Sequence, residues 1–110
     1  MLDLIIKNGK CYIEGELKNV DVSVKDGKIQ NIGKISKEAK NIVDATGLFV
    51  LPGCIDTQTH FREPGSTDTE DLNSGSRAAI VGGITAVFEM PNTNPPTSSK
   101  KEFQRKLDLA

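Results

Sequence analysis

The chain has 110 residues, of which 36% are hydrophobic and 26% are charged, a balance typical of a soluble globular domain. Its 14 basic and 15 acidic residues nearly cancel, so we expect neither nucleic acid nor acidic lipid as a partner. No charged start followed by an apolar run marks a secretory signal, and no apolar segment is long enough to span a bilayer. We therefore expect a cytoplasmic protein without membrane association.

Two cysteines, Cys11 and Cys54, lie far apart and form no Cys-x-x-Cys pair. In a reducing compartment such cysteines are free thiols. Because a free cysteine packs as a small apolar side chain, and neither stands beside an activating base in the sequence, we expect both to be buried and neither to be a nucleophile.

Residues 1–52 are predicted to form a small β-meander domain. Apolar residues run up to Asn8-Gly9, and a second alternating segment runs up to Asp26-Gly27. These dipeptides tolerate positive φ at both central positions of a hairpin turn, so each is predicted to be a turn between strands. Residues 42–45 and 48–51 add a further extended pair. No catalytic residue types cluster here, so we expect this domain only to support the remainder.

The stretch from Leu51 to Pro64 carries an acid, an amide, an imidazole and a guanidinium at every second position from 56 to 62. These residues are Asp56, Gln58, His60 and Arg62. In a β-strand they would all project to one face, because successive side chains alternate. Such a face is poorly suited to burial in a core and well suited to a metal and an anionic ligand.

A helix is predicted from about Glu70 to Val81, after a loop over 63–69 that is rich in Pro, Gly, Ser and Thr. Thr69 is its predicted cap and Gly82-Gly83 its end. Its apolar side would comprise Leu72, Ala79 and Ile80.

A second strand is predicted over 84–90, followed by a polar, proline-rich loop over 91–96. Ser99 and Glu102 form a capping-box pattern that would open a last helix. Its shared face would comprise Phe103, Leu107 and Ala110.

The order strand, loop, helix, strand, loop, helix over residues 53–110 is typical of a parallel α/β fold. In such folds the loops that follow the carboxyl ends of the strands collect at one rim, where ligands bind. The loops at 60–65 and 91–96 are therefore predicted to meet at one site.

The second half of the chain contains five short motifs. They are Asp56-x-Gln58-x-His60-x-Arg62-Glu63-Pro64-Gly65, Glu70-Asp71, Ser74-Gly75-Ser76-Arg77-Ala78-Ala79, Gly82-Gly83-Ile84-Thr85 and Met90-Pro91-Asn92-Thr93-Asn94-Pro95. Together they resemble the first part of a dihydroorotase, a member of the cyclic amidohydrolase superfamily, which also includes hydantoinases, dihydropyrimidinases and allantoinases.

The resemblance implies a TIM-like (β/α)8 barrel flanked by a β-sandwich made from both ends of the chain. It implies an enzyme of pyrimidine biosynthesis that reversibly hydrolyses the ring amide of dihydroorotate to N-carbamoyl-aspartate, with one or two zinc ions. It also implies a homo-oligomer, with aspartate carbamoyltransferase as a further candidate partner.

The resemblance assigns roles to four positions. The metal-binding His-x-His of the family corresponds to Gln58 and His60, and the residues that hold the substrate carboxylate correspond to Arg62 and Asn92. A guanidinium matches a carboxylate two hydrogen bonds at a time, and an amide adds a neutral donor. Asp56 is expected to steady a neighbouring group rather than to react.

Two structural alternatives remain open at these positions. Arg62 could instead form a surface salt bridge with Glu63 or Glu89. Asn92 could be a turn-forming residue between prolines.

Two departures from the family pattern bear on activity. Gln58 offers only a neutral, weak oxygen where zinc prefers imidazole, so metal affinity should fall. His60 is the sole histidine; the family's lysine, two further histidines and aspartate would lie beyond residue 110. A (β/α)8 barrel takes about 250 residues, so we expect an unclosed barrel with no catalytic residue of its own and no turnover.

Three interpretations follow from these departures. The chain is the amino-terminal piece of a dihydroorotase-type enzyme, a piece of a metal-free dihydroorotase-like scaffold that supports a partner, or a free-standing module. The intact Arg62 and Asn92 motifs favour the first interpretation, and Gln58 favours the second.

Overall fold

The computed structural model describes all 110 residues, and the chain divides into two compact units, Met1–Pro52 and Gly53–Ala110. The first unit contains β1 (Leu2–Ile13), β2 (Glu16–Lys25), β3 (Lys28–Gly33), β4 (Ala39–Asp44) and β5 (Phe49–Val50). The second contains β6 (Cys54–Thr59), α1 (Leu72–Val81), β7 (Ile84–Glu89) and α2 (Lys100–Leu109). Neither helix is long and apolar enough to cross a membrane.

The first unit is one sheet built around β1. Its strand order is β3-β2-β1-β4, with antiparallel pairing in β1-β2 and β2-β3, while β4 and β5 both run parallel to β1. The meander prediction is right for the first three strands and wrong for the last two. Because β1 is 12 residues long, its edge accommodates β4 beside one half and β5 beside the other, so these segments pair with β1.

The predicted turn at Asn8-Gly9 is wrong, because β1 continues through it with a shift in register against β2. Asn8 does adopt positive φ, at 61°, but within this irregularity. Asp21 Oδ1 accepts its backbone N–H at 3.0 Å, and Asp44 Oδ1 accepts from its amide at 3.0 Å. Two carboxylates distant in sequence therefore hold the conformation that a local rule assigns to a hairpin. The predicted turn at Asp26-Gly27 is confirmed, with φ of 51° and 71°.

Leu2, Ile5 and Ile35 form a small buried apolar cluster in the first unit, and Ala39 packs against it. Cys11 is buried as expected, whereas Cys54 is exposed, so the burial prediction is wrong for Cys54. Cys54 is the first residue of β6 and is only lightly covered there. Both thiols are free.

In the second unit, β6 and β7 are parallel neighbours and α1 connects them, which confirms the predicted α/β order. Helix α1 begins at Leu72 rather than Glu70, and its cap is Asp71 rather than Thr69. The Asp71 carboxylate accepts the Ser74 backbone N–H at 2.7 Å, and the Ser74 hydroxyl accepts the Asp71 N–H at 3.2 Å. This reciprocal pair satisfies two backbone N–H groups at once. Thr69 lies two residues before the cap position, too far from the first turn of the helix to accept these N–H groups.

Helix α2 carries only half of its predicted capping box. Ser99 accepts the backbone N–H of Glu102 at 3.3 Å, with no return bond from the Glu102 side chain. Phe103 and Leu107, predicted to share a face, stay more than half exposed, and the buried residue of α2 is Lys106.

Candidate functional site at the ends of two parallel strands

Both candidate loops start at the same edge of the two-stranded sheet. Strand β6 ends at Thr59, so His60 and Arg62 follow the strand, and the predicted polar face along one continuous strand is wrong for these two residues. The backbone N–H of Met90, directly after β7, donates to the Thr59 carbonyl at 2.8 Å. The last backbone hydrogen bond between the strands therefore lies at the point where both loops depart.

The two loops also contact each other further along. The Asn94 backbone N–H donates to the Pro64 carbonyl at 3.0 Å. Gly65, with φ of 125°, lies so close that an added Cβ would be 2.9 Å from Cβ of Asn94 and 3.0 Å from its carbonyl oxygen. Only glycine meets both the backbone conformation and the contact, so the sequence at this position is part of what joins the loops.

His60 and Asn92, which come from different loops, meet side chain to side chain. Nδ1 of His60 lies 2.8 Å from Oδ1 of Asn92. An amide oxygen only accepts, so the hydrogen bond requires the proton on Nδ1. In the neutral ring, Nε2 then keeps its lone pair and is available as a proton acceptor or a metal ligand. The Asn92 amide nitrogen likewise keeps both of its donors.

Arg62 is exposed and forms no ion pair. The two carboxylates proposed as its structural partners are engaged elsewhere. Glu63 accepts the Leu72 backbone N–H at 2.8 Å, which adds a second acceptor at the start of α1. Glu89 pairs with Lys106 at 3.2 Å. The salt-bridge alternative for Arg62 is therefore wrong, and its guanidinium keeps its donors for another group.

The expected metal position is incomplete in these residues. Gln58 is exposed, and its backbone N–H donates to Asp56 Oδ1 at 2.9 Å, so Asp56 does steady the neighbouring chain. No group of three or more His, Cys, Asp or Glu side chains that could hold a metal ion occurs in the structure. One imidazole nitrogen and one neutral amide oxygen are too few for the four ligands that zinc takes. The residues of this chain do not by themselves form a metal centre.

Sequence reasoning missed the Glu89–Lys106 pair, which joins the last residue of β7 to α2. The Lys106 and Glu89 side chains are only 10% and 17% exposed. The sequence shows that Glu102 and Lys106, four residues apart, share a helix face, but this spacing does not indicate Glu89 as a partner. Glu102 and Lys106 are both well covered, whereas Phe103 and Leu107, one position along, are not.

Comparison with known proteins shows that the part of the chain that carries this site matches a known family. Residues 49–108 match the profile of the amidohydrolase family. Over 109 residues the chain is 49% identical to an allantoinase of Salmonella choleraesuis, a match that covers 98% of this chain and 24% of that protein. The chain thus spans about a quarter of the length of the curated relatives it matches.

Solved structures agree with the sequence match. The L-hydantoinase (dihydropyrimidinase) from Arthrobacter aurescens superposes with a TM-score of 0.89 at 36% identity, over 100% of this chain and 25% of that one. An N-acyl-D-glutamate deacylase from Bordetella bronchiseptica, solved with zinc and a phosphonate inhibitor, gives a TM-score of 0.60 at 29% identity, over 78% of this chain and 18% of that one. The two βα units thus have the fold that opens a TIM-like amidohydrolase barrel.

Proposed function

The chain belongs to the amidohydrolase family, and from that membership we propose that it is the amino-terminal part of a cyclic amidohydrolase acting on dihydroorotate. The reaction opens the ring amide to N-carbamoyl-aspartate. In this proposal residues 53–110 supply substrate-binding groups and one metal ligand, while the remaining catalytic groups come from further along a longer protein.

The observation that carries the choice of substrate is the state of Arg62. Its guanidinium is exposed, belongs to no ion pair and stands two residues after His60, while both nearby glutamates are engaged in structural hydrogen bonds. A guanidinium in this state binds a carboxylate with two parallel hydrogen bonds. Dihydroorotate carries such a carboxylate on its ring, on a carbon that one methylene group separates from the carbonyl carbon of the cleaved amide.

Asn92 contributes twice in this proposal. Its amide oxygen accepts from Nδ1 of His60, and its amide nitrogen can donate to the same substrate carboxylate as Arg62. Together these donors fix the orientation of the ring, and orientation is a large part of what an active site supplies. His60 would then present Nε2 toward the reacting side of the ring.

Zinc is the proposed metal, with Nε2 of His60 as this chain's own strong ligand. The support is the family membership and the zinc complex of the similar deacylase. The remaining ligands would come from outside these 110 residues. Gln58 would be a weaker ligand than the family's histidine, because an amide oxygen binds zinc less well than imidazole does.

Allantoin is a second candidate substrate, favoured by the 49% identity to allantoinase. It is a hydantoin ring that carries a ureido group and no carboxylate. Arg62 would then donate to neutral carbonyl oxygens, which gain less from a guanidinium than a carboxylate does. The two substrates therefore make different demands on the same side chain.

A metal-free scaffold that supports aspartate carbamoyltransferase or a second copy of itself is the third candidate, favoured by Gln58 alone. It explains the missing imidazole without explaining why Arg62 and Asn92 remain available for a ligand.

The deciding experiment measures metal content and hydrolysis of dihydroorotate, allantoin and unsubstituted hydantoin by the full-length protein. We expect bound zinc and turnover of dihydroorotate. Preferred turnover of allantoin would establish the second candidate instead. A protein with neither metal nor turnover, and with neither gained on Gln58→His, would establish the scaffold.

A further inference from the structure

We propose that Glu89 and Lys106 are positioning residues, which hold the His60–Asn92 hydrogen bond in place by tying the ends of β6 and β7 to α2. Their consequence for turnover rests on the proposed function, whereas their effect on the geometry of His60 does not. Neither residue is proposed to touch the substrate.

The pair joins three segments through four polar groups. Glu89 Oε2 accepts the backbone N–H of Phe61 at 3.1 Å, and Glu89 Oε1 lies 3.2 Å from Nζ of Lys106. Nζ of Lys106 also donates to the carbonyl of Met90 at 3.3 Å. Phe61 is the residue between His60 and Arg62, and Met90 stands two residues before Asn92. Both partners of the His60–Asn92 bond are thus within two residues of a backbone group that this ion pair holds.

Phe61 is held from a second side by its ring. Gly75 in α1 lies so close that a Cβ there would be 2.7 Å from Cδ1 of Phe61. With its ring against α1 and its N–H on Glu89, Phe61 has little freedom to rotate. The adjacent His60 therefore leaves the strand in a fixed direction, toward Asn92.

Burial argues that geometry rather than stability is the use of this pair. Burying two charges costs their hydration, and a well-packed apolar pair of similar size is often equally stable or more so. An ordinary ion pair of α2, Glu102 with Arg105, is longer at 3.8 Å, and its arginine is 56% exposed. The Lys106 side chain, in contrast, is only 10% exposed, and it donates hydrogen bonds to the Glu89 carboxylate and the Met90 carbonyl.

The test uses the sole histidine of the 110-residue chain, whose imidazole gives one set of 15N resonances. Spectra are recorded at a single pH at which the ring is neutral, for the parent, Lys106→Met, Lys106→Arg and the neighbouring control Arg105→Met. Asn92→Ala supplies the spectrum of a His60 that has lost its partner.

We expect Lys106→Met to move the His60 resonances most of the way to those of Asn92→Ala. Lys106→Arg, which keeps the charge and the donors, should restore them toward the parent. Arg105→Met should leave them unchanged. Circular dichroism verifies that each variant is folded. A folded Lys106→Met chain with the parent's His60 resonances would overturn the proposal.

Should Lys106→Met fail to fold, Glu89→Gln decides by the same spectra. It has the same shape as the parent residue but only a neutral oxygen for Phe61 and Lys106, so we expect it to shift the resonances in the same direction. Unchanged resonances in folded Glu89→Gln would overturn the proposal.

In the full-length protein, Lys106→Met should lower kcat/KM by about 10- to 100-fold, the usual cost of losing a group that orients a metal-binding side chain, while Arg105→Met leaves it unchanged. An active enzyme insensitive to Lys106→Met would also overturn the proposal. If the full-length protein hydrolyses none of the rings, the proposed function fails while the spectra still decide the positioning role.

Discussion

In both units of this protein, carboxylates accept hydrogen bonds from backbone N–H groups. The units differ in whether candidate ligand-binding side chains remain without a protein partner. In the first unit Asp21 accepts the backbone N–H groups of Asn8 and Ile35, and Asp44 accepts from Asn8 and Thr46. These hydrogen bonds fix the backbone of the sheet and involve no candidate ligand-binding group.

In the second unit Glu63, Asp71 and Glu89 are likewise engaged with backbone N–H groups. Here, however, the guanidinium of Arg62 and Nε2 of His60 remain without a protein partner, while Glu63 and Glu89 are engaged with other groups. Arg62 and His60 are candidate ligand-binding residues because they combine two properties: no hydrogen bond or ion pair occupies these atoms, and both residues follow β6 at the edge where the two loops meet.

The largest expected effect is that of Arg62→Ala in the full-length protein, which tests whether the unpaired guanidinium binds the substrate. In the proposed function, loss of a charge-assisted pair with the substrate carboxylate should weaken substrate binding by about 2 to 4 kcal/mol, seen as a KM for dihydroorotate raised about 30- to 1,000-fold. The unfolding temperature should not change, because Arg62 forms no ion pair in the structure.

Arg77→Ala is the matched control for that substitution. Arg77 is also exposed and outside every ion pair, but it lies in α1 rather than after β6. Its KM should equal the parent value. Equal responses of KM to the two substitutions would remove Arg62 from the site.

The next effect concerns the junction of the two loops. Gly65→Ala should lower the free energy of unfolding by about 2 to 3 kcal/mol, because it combines a strained φ with a collision against Asn94. Gly47→Ala in the first unit has a positive φ of 77° and open space around it. It should cost only about 1 kcal/mol, the backbone term alone.

Urea unfolding of both glycine variants measures the difference. Equal losses would show that the loop contact at Gly65 contributes nothing beyond backbone conformation. The matched pair thus separates the cost of a left-handed backbone from the cost of parting the loops.

The smallest effect is a difference in acid sensitivity. Hydrogen bonds from the hydroxyl of Thr46 and the amide of Asn8 hold the pKa of Asp44 below its ordinary value, and the backbone N–H groups of Asn8 and Ile35 do the same for the pKa of Asp21. The Lys40 ammonium and the Asp26 backbone N–H lower the pKa of Asp3. In the second unit the backbone N–H and hydroxyl of Ser74 lower the pKa of Asp71.

A carboxyl with a lower pKa in the folded state stabilises the fold above its ordinary value, 3.8 here, and loses that contribution as the pH falls through the folded pKa. With three such groups against one, the first unit should lose its amide protection at a higher pH than the second. Amide exchange followed residue by residue between pH 5 and about pH 2 measures this. A first unit that outlasts the second on acidification would contradict the expectation.

At neutral pH, Asp71→Ala should lower the unfolding temperature by about 5 °C through loss of the α1 cap. Asp68→Ala removes the same charge from the preceding loop and should leave the unfolding temperature unchanged.

The order of elements and the meeting of the two loops were predictable, because both rest on local signals. Periodicity and capping residues mark the strands and helices, and the geometry of parallel strands sends successive loops to one edge. The Asn8-Gly9 turn was not predictable, since the same dipeptide is compatible with a hairpin or with an irregularity in a long strand. The choice was made by Asp21 and Asp44, which approach from other strands.

The sequence by itself determined the chemistry at the site: which side chains can bind an anion, which can bind a metal, and that histidine is scarce. Only the tertiary structure decided which of those groups are already engaged in hydrogen bonds or ion pairs within the protein. In the sequence, Glu63 and Glu89 are both plausible partners of Arg62. In the structure, neither pairs with Arg62, because both carboxylates are engaged with other groups. The physical reason is that a hydrogen bond joins atoms a few ångströms apart in space, and sequence separation does not measure that distance.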